Sequence, residues 1–391
     1  MKIETTSEDR DFRAMVRDWL DDNVPRDRRP DGGVAQREFD RAWRRRQFDG
    51  GWGHISWPAD YGGRGLSTVQ QLIWYEEYAR AGGPTHFDQF FVALNHAGPT
   101  LIARADEAQR RHHLPLILRG DAIWCQGFSE PSAGSDLAGL RTRGVIDGDH
   151  LVVTGQKIWT TYGHHARYQE LLVRTDADAP KHKGISWVIA EMGSPGMDIR
   201  PIRNMAGEDH FCEVFYDEVR IPLSNVVGGL NNGWSVALST LAFERGTASI
   251  PHVIELCALT EHLIELAATS PGANGRPALQ DDSVAAALSH LRADVAALRA
   301  LAYMAISRAE RGGTVGPDGS IVRLQMSTLE QRIHALAMDI LGPAALERTE
   351  IGGWTYDYLV SFKHTIAGGT AQIQRNIIGE RMLGLPKGRA A

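Results

Sequence analysis

Gly144-Val145-Ile146-Asp147-Gly148-Asp149-His150-Leu151-Val152-Val153-Thr154-Gly155 is the stretch that decides how this chain is divided. Asp147-Gly148 stands between two runs, Val145-Ile146 and Leu151-Val152-Val153, that are rich in β-branched residues. Both turn residues tolerate positive φ, so the stretch predicts a β-hairpin. Similar short apolar runs at 171–173, 185–190 and 212–216 predict further strands. The block from 121 to 225 therefore reads as all-β.

On either side of that block the apolar period changes to that of a helix. Ser7 stands as a cap before Phe12, Val16, Trp19 and Leu20, with Pro25 beyond the helix end. A Gly- and Trp-rich loop at 50–65 follows, then a helix carrying Leu66, Val69, Leu72, Ile73 and Tyr78, and another helical segment at 101–118. After Gly233-Trp234 long amphipathic stretches near 234–270, 280–311, 322–341 and 370–383 predict a helical bundle. Gly312-Gly313, Gly342-Pro343 and Gly352-Gly353 supply the breaks. The expected fold is α+β: a helical domain at 1–120, a small β-barrel or sandwich at 121–230, and a four-helix bundle at 231–391.

The chain has 391 residues, 43% hydrophobic and 23% charged, which suits large buried cores and excludes disorder, collagen-like repeats and disulfide scaffolds. With 42 Lys and Arg against 48 Asp and Glu, a net charge of −6 offers no general attraction to nucleic acid or an anionic bilayer. Cys125, Cys212 and Cys257 read as reduced, packed thiols, and no CxxC or Cys/His cluster in sequence points to a metal. No apolar run reaches the roughly 20 residues of a membrane span, and the N-terminus has no secretory signal, so a cytoplasmic protein is expected.

Three segments carry chemistry. In Phe128-Ser129-Glu130-Pro131-Ser132-Ala133-Gly134-Ser135-Asp136, backbone N–H groups and hydroxyls form a loop suited to anionic oxygens. In Gly155-Gln156-Lys157-Ile158-Trp159-Thr160-Thr161, a Trp at a hairpin end can stack on a flat heterocycle while Thr161 bonds its edge. In Gly368-Gly369-Thr370-Ala371-Gln372-Ile373-Gln374-Arg375-Asn376, two glycines lead into a helix-capping Thr. Each segment alone is weak: a turn, a core Trp or a helix start explains it as well.

Taken in this order and spacing, the three segments resemble the acyl-CoA dehydrogenase family. The resemblance continues through Asp217-Glu218-Val219-Arg220-Ile221-Pro222, Asn232-Gly233-Trp234, Phe243-Glu244-Arg245 and the run from Ile377 to Pro386. It implies an FAD enzyme that oxidises the Cα–Cβ bond of an acyl-CoA to a trans-2-enoyl-CoA, with flavin N5 accepting the β-hydride. By the same resemblance, Phe128, Ser129 and Ser135 line the flavin and its ribityl–phosphate arm, and Trp159 and Thr161 cover it. Thr370 and Gln372 contact FAD, often that of a neighbouring subunit, and Ser135, Arg245 and Gly368 face the acyl-CoA.

The reaction needs a carboxylate in a dry pocket and hydrogen bonds to the thioester carbonyl. Many members place that Glu directly before Gly-Thr; here the sequence is Ala367-Gly368-Gly369-Thr370. A minority pattern supplies the base from another helix, before an Arg, which makes Glu244 the candidate. Gly368 then leaves room for Glu244 and keeps its own N–H for the carbonyl. The rival reading of Glu244 is an ion pair beside Arg245. Further departures are Arg276, only a loose counterpart of a residue that reaches a neighbour's FAD, and Asp339 with Pro343 where an amide and a backbone donor are usual.

The resemblance also implies a homodimer or homotetramer, with a heteromer open, and an electron-transfer flavoprotein as electron acceptor. Two alternatives remain: a non-catalytic or half-site subunit of a heteromeric enzyme, and a flavin oxidase or monooxygenase on the same fold. Arg111-His112-His113 reads as a solvated helix face and His164-His165 as a loop near the flavin edge. His364 reads as pocket lining or packing, Trp187 and Trp234 as core, and Lys181-His182-Lys183 as an exposed turn.

Overall fold

The computed structural model describes residues 6–244, 249–272, 275–310, 318–347 and 352–387. Its strands are β1 (Trp124–Gly127), β2 (Arg143–Asp147), β3 (His150–Thr161), β4 (Tyr168–Arg174), β5 (Ile185–Glu191), β6 (Met197–Ile202), β7 (Phe211–Pro222) and β8 (Val226–Val227). They join in one sheet of order β6-β7-β3-β2-β4-β5-β8, with β1 added parallel to β4. Leu151 and Val153 of β3 and Val214, Tyr216 and Val219 of β7 share a core with Leu171 and Val173 of β4 and Val188 and Ala190 of β5. Leu172 of β4 and Trp187 and Ile189 of β5 point into a second core, so these two strands are buried on both faces.

The β2–β3 hairpin forms where the sequence predicts it, displaced by one residue. Asp147 pairs with His150, so Gly148-Asp149 make the turn, and Gly148 alone takes the positive φ, 63°. Glycine has no Cβ to clash there. The sequence reading did not anticipate β1, which is four residues long, or β6. The latter carries Asp198, Arg200 and Pro201, a composition suited to the edge it occupies.

The helices are α1 (Ser7–Asn23), α2 (Gly33–Asp49), α3 (Thr68–Arg80), α4 (Gly98–Arg104), α5 (Glu107–Leu118), α6 (Gly233–Glu244), α7 (Ile250–Thr269), α8 (Asp282–Glu310), α9 (Asp318–Leu341), α10 (Trp354–Ser361) and α11 (Ala371–Ile377). Two units result: one from Met1–Asp27, Leu66–Pro84 and Arg245–Ala391, the other from Arg28–Gly65 and Thr85–Glu244, each within the described residues. In the first, α7, α8 and α9 bury one core that includes Leu256, Leu263, Leu291, Val295, Leu329 and Ile333. Phe12, Val16 and Leu20 form the buried stripe of α1, as their spacing predicts. Glu77 of α3 gathers Arg13, Arg17 and Arg80 at 2.6–2.9 Å, which ties α1 to α3.

Several local readings change. Thr6 rather than Ser7 caps α1, its hydroxyl accepting from Asp9 N at 3.1 Å while Asp9 accepts from Thr6 N. The segment at 101–118 is two helices, because Asp106 and Gln109 form a capping box that starts α5. Helix α2 has no apolar stripe to find: its buried positions are Asp40, Trp43, Arg44 and Gln47, with Arg29 holding Asp40 through two 2.6 Å bonds. His113 is buried edge-on against Trp124 and Tyr168, which corrects the solvated-face reading. Burial lowers its pKa to about 4, with His112 and Arg167 adding to the effect. Trp187 is core, and Trp234 is partly buried against that same core. Gly312-Gly313 lie outside the described residues. No described helix is long and apolar enough to cross a membrane.

Candidate functional site

In the second unit the loop after β1 is built around a buried charge pair. Glu130 accepts from Arg141 N at 2.7 Å, from Thr142 N at 2.8 Å and from Lys157 Nζ at 2.8 Å. Lys157 Nζ also donates to Phe128 O at 3.0 Å, and its side chain is 0% exposed. Burial pulls the Lys157 ammonium down to about 8, against the opposing charge of Glu130. For Glu130, burial works upward, but Lys157 and the two backbone donors outweigh it and hold the carboxyl below its usual range. The pair fixes the path of the Phe128–Asp136 segment against β3. Ile158 N donates to Ser129 O at 2.9 Å and completes the attachment.

One residue later, β3 breaks register with β7 between Lys157 and Thr160. Trp159 sits in that irregularity with φ 63°, and Tyr162 follows with φ 52°. A non-glycine residue held left-handed costs roughly 1–2 kcal/mol. Trp159 is 56% exposed, the one exposed tryptophan among the described residues. Its ring is therefore held out at a local conformational cost, perpendicular to the ring of Phe211 with 6.0 Å between centroids.

Ser129 and Thr161 are partly exposed and Ser135 is exposed; among the described residues none of the three hydroxyls has a hydrogen-bond partner. Asp136, at the loop end, pairs with Lys181 at 2.6 Å. Nearby, Arg37 Nη1 lies 3.1 Å from His165 Nε2. Arginine only donates, so that nitrogen accepts and the ring is neutral. Burial, His164 and Arg37 together lower the His165 pKa to about 4.

In the first unit the glycine pair is held by carbonyl clamps. Arg323 Nη2 donates to His364 O at 3.1 Å and to Ala367 O at 2.8 Å. Gln374 Nε2 donates to Gly368 O at 3.0 Å and to Gly369 O at 3.3 Å. Gly368 and Gly369 both take positive φ, 68° and 99°. Thr370 caps α11 as predicted, its hydroxyl accepting from Ile373 N at 3.2 Å, and Gln372 is exposed on that helix. Glu244 is the last residue of α6; its side chain and Arg245 lie outside the described residues. Sequence reasoning assigned no role to Glu130, Lys157, Arg323 or Gln374. A lysine directly preceding Ile158-Trp159 within a strand was the one legible hint of a buried charge.

Most of the chain falls in one family. Family models for the acyl-CoA dehydrogenase N-terminal, middle and C-terminal domains match residues 6–121, 125–219 and 231–383. Acyl-CoA dehydrogenase IpdE1 of Mycobacterium tuberculosis is 37% identical over 388 residues, covering 96% of this chain and 98% of its own. A solved structure described as the Tcur3481-Tcur3483 steroid ACAD is 30% identical with a TM-score of 0.84, covering 99% of this chain and 100% of that one. The ChsE4-ChsE5 complex from Mycobacterium tuberculosis gives 30% identity and a TM-score of 0.82 over 99% and 100%. The chain belongs to the acyl-CoA dehydrogenase family, with its helical, β-sheet and helical arrangement. It is an FAD-dependent acyl-CoA dehydrogenase.

The residues present fit that cofactor. An indole face held out at a strained position suits a planar heterocycle, and three hydroxyls without protein partners suit its polar edge and phosphate arm.

Proposed function

We propose that this chain dehydrogenates an acyl-CoA thioester to the trans-2-enoyl-CoA, with Glu244 abstracting the α-proton. The observation that carries the proposal is Gly368. The position before Gly369-Thr370 holds a glycine at φ 68°, a conformation that strains any residue with a Cβ by roughly 1–2 kcal/mol. The carboxylate the chemistry needs must come from elsewhere, and Glu244, the last residue of α6, followed in sequence by Arg245, makes the matching pair.

A thioester α-proton is a poor acid, so the carbonyl oxygen needs donors as the proton leaves. Gly368 N–H is one such donor, and the clamps from Arg323 and Gln374 keep its backbone from turning. Phe128, Ser129 and Ser135 bind the cofactor arm, Trp159 covers the ring and Thr161 bonds its edge. Thr370 and Gln372 reach FAD, and Ser135 and Arg245 hold the acyl-CoA. When bound, FAD supplies the acceptor for the hydride that leaves Cβ. An electron-transfer flavoprotein then takes the electrons.

The acyl group we infer is bulky and ring-bearing. Relatives about 30% identical are described as a steroid ACAD and its variant, and glycine at 368 adds no side chain to the acyl site. The assembly is oligomeric. Ile366, Leu383 and Leu385 are exposed on either side of the Thr370–Gln372 segment, and two of the structural relatives are two-component complexes.

The test is anaerobic stopped-flow with a panel of short, long, branched, aromatic and steroidal acyl-CoAs on wild type and Glu244→Gln. Flavin bleaching within about tenfold of wild type in the variant refutes the base assignment. A colourless protein on its own favours the half-site subunit, and rapid O₂ consumption by the reduced protein favours an oxidase.

A further inference from the structure

His252 of α7, Glu330 of α9 and His364, in the short 3₁₀ turn Phe362–Thr365, converge inside the first unit. Glu330 Oε2 lies 2.6 Å from His364 Nδ1 and 3.1 Å from His252 Nε2. One donor atom from each residue falls within 4.8 Å of the other two. The three side chains are 4–12% exposed. We infer that His252, Glu330 and His364 form a binding site for a divalent transition-metal ion, zinc by donor chemistry, that ties α7 and α9 to the segment leading into Gly368.

Charge is the first argument. A carboxylate this deep requires a counter-charge, and among the described residues Glu330 has no lysine or arginine partner. Its Oε2 faces nitrogens of both imidazoles, and a divalent ion would bring the counter-charge to the same three donor atoms.

Geometry and donor type agree. A tetrahedral ion about 2.0–2.1 Å from each donor sets those donors about 3.3 Å apart, so the observed group needs shifts of under an ångström on its two short edges. Two nitrogens and one carboxylate oxygen suit zinc and its neighbours rather than magnesium or calcium, which take oxygen shells. A further donor is at hand. His334 stands one helical turn from Glu330 on the same face of α9, 3% exposed, with its Nδ1 buried and without a hydrogen-bond partner. The three ligands are 78 and 34 residues apart in sequence, so no local metal motif exists.

The ion's role is structural. Arg323 and Gln374 clamp the carbonyls at 364, 367, 368 and 369, and the metal would anchor the His364 side chain of the same segment.

The experiment uses tag-free, FAD-loaded, full-length protein, stripped with a chelator and titrated with Co(II). Expected are visible d–d bands of four- or five-coordinate cobalt, one ion per chain, displaced by zinc. In Glu330→Gln and His364→Gln the affinity falls by more than the roughly 10–100-fold typical of losing an outer-shell partner. Circular dichroism confirms that the variants fold. No bands in wild type, or bands unchanged in both variants, overturns the site. Flavin content and bleaching, read on the same samples, report separately on the dehydrogenase reading.

Discussion

Lys157→Met would show whether the buried pair positions the Phe128–Asp136 loop. The substitution keeps the aliphatic stem and deletes a charge that is 0% exposed, with Glu130 Oε1 at 2.8 Å and Phe128 O at 3.0 Å. Breaking a buried pair from one side costs about 3–5 kcal/mol, because the remaining charge is left in low dielectric. Here Glu130 keeps Arg141 N and Thr142 N, so the lower end, about 3 kcal/mol, is expected. That is a large share of the roughly 5–15 kcal/mol that hold a typical protein folded.

Removing the other partner is cheaper. Lys157 is already brought down to about 8 by burial, so in Glu130→Gln it can shed its proton at about 1.4 kcal/mol per pKa unit instead of remaining a stranded cation. The expected loss is about 1–2 kcal/mol, part of it from one weakened backbone acceptor. Urea unfolding of both single variants and the double variant gives the coupling energy, and FAD retention is read on the same samples. The reasoning fails if Lys157→Met costs less than about 1 kcal/mol, or if Glu130→Gln is the more damaging change. Unchanged FAD affinity in a destabilised Lys157→Met would refute the link from the pair to the loop.

Glu77→Gln should remove a pH-dependent term. With burial opposed by Arg17, Arg13 and Arg80, the folded pKa lies at about 2 against a usual 4.5. The stabilisation, about 1–3 kcal/mol after allowing for solvent screening around the half-exposed arginines, is complete above the unfolded value and is lost as pH falls from about 4.5 to 2. Wild type and variant should therefore differ most at neutral pH and converge in acid; parallel urea curves across that window would contradict the assignment. Trp159→Gly removes an exposed ring and relieves the φ of 63°, so apoprotein stability should hold or rise by about 1 kcal/mol while FAD affinity falls at least tenfold. Calorimetry showing a marked loss of stability would mean that the ring packs. Gln374→Ala frees the carbonyls of Gly368 and Gly369 and should lower kcat/KM by about 10- to 100-fold with FAD content retained. An equal loss of bound flavin would assign Gln374 a cofactor role instead.

The fold was legible where one residue type dictates one local geometry. Gly148 marked the hairpin, the Phe12-Val16-Leu20 stripe marked α1, and Gly-Gly-Thr marked the start of α11. It was not legible where burial is polar. Helix α2 hides Asp40, Arg44 and Gln47 from solvent, so its inward face reads as an outward one until Arg29 and Asp88 are known to complete it. His113 failed for a related reason: its neighbours Arg111 and His112 are polar, but its ring packs on Trp124 from β1 and Tyr168 from β4. Partners distant in sequence leave no periodic trace.

The same limit separates the two halves of the candidate chemistry. Loop hydroxyls and an indole at a hairpin end can be read from adjacent residues, since cofactor contact is a property of a short exposed segment. The groups that hold those segments still come from elsewhere: Lys157 reaches back to Phe128 and Glu130, and Arg323 and Gln374 hold the glycine pair through its carbonyls. Glycine at 368 carries no side chain and adds backbone freedom, which raises the cost of an unclamped loop. Placing two side-chain donors on four carbonyls, at 364, 367, 368 and 369, offsets that freedom. The segment leading into α11 is therefore backbone held at both ends, by Arg323 at the His364 and Ala367 carbonyls and by Gln374 at those of Gly368 and Gly369, before Thr370 caps the helix.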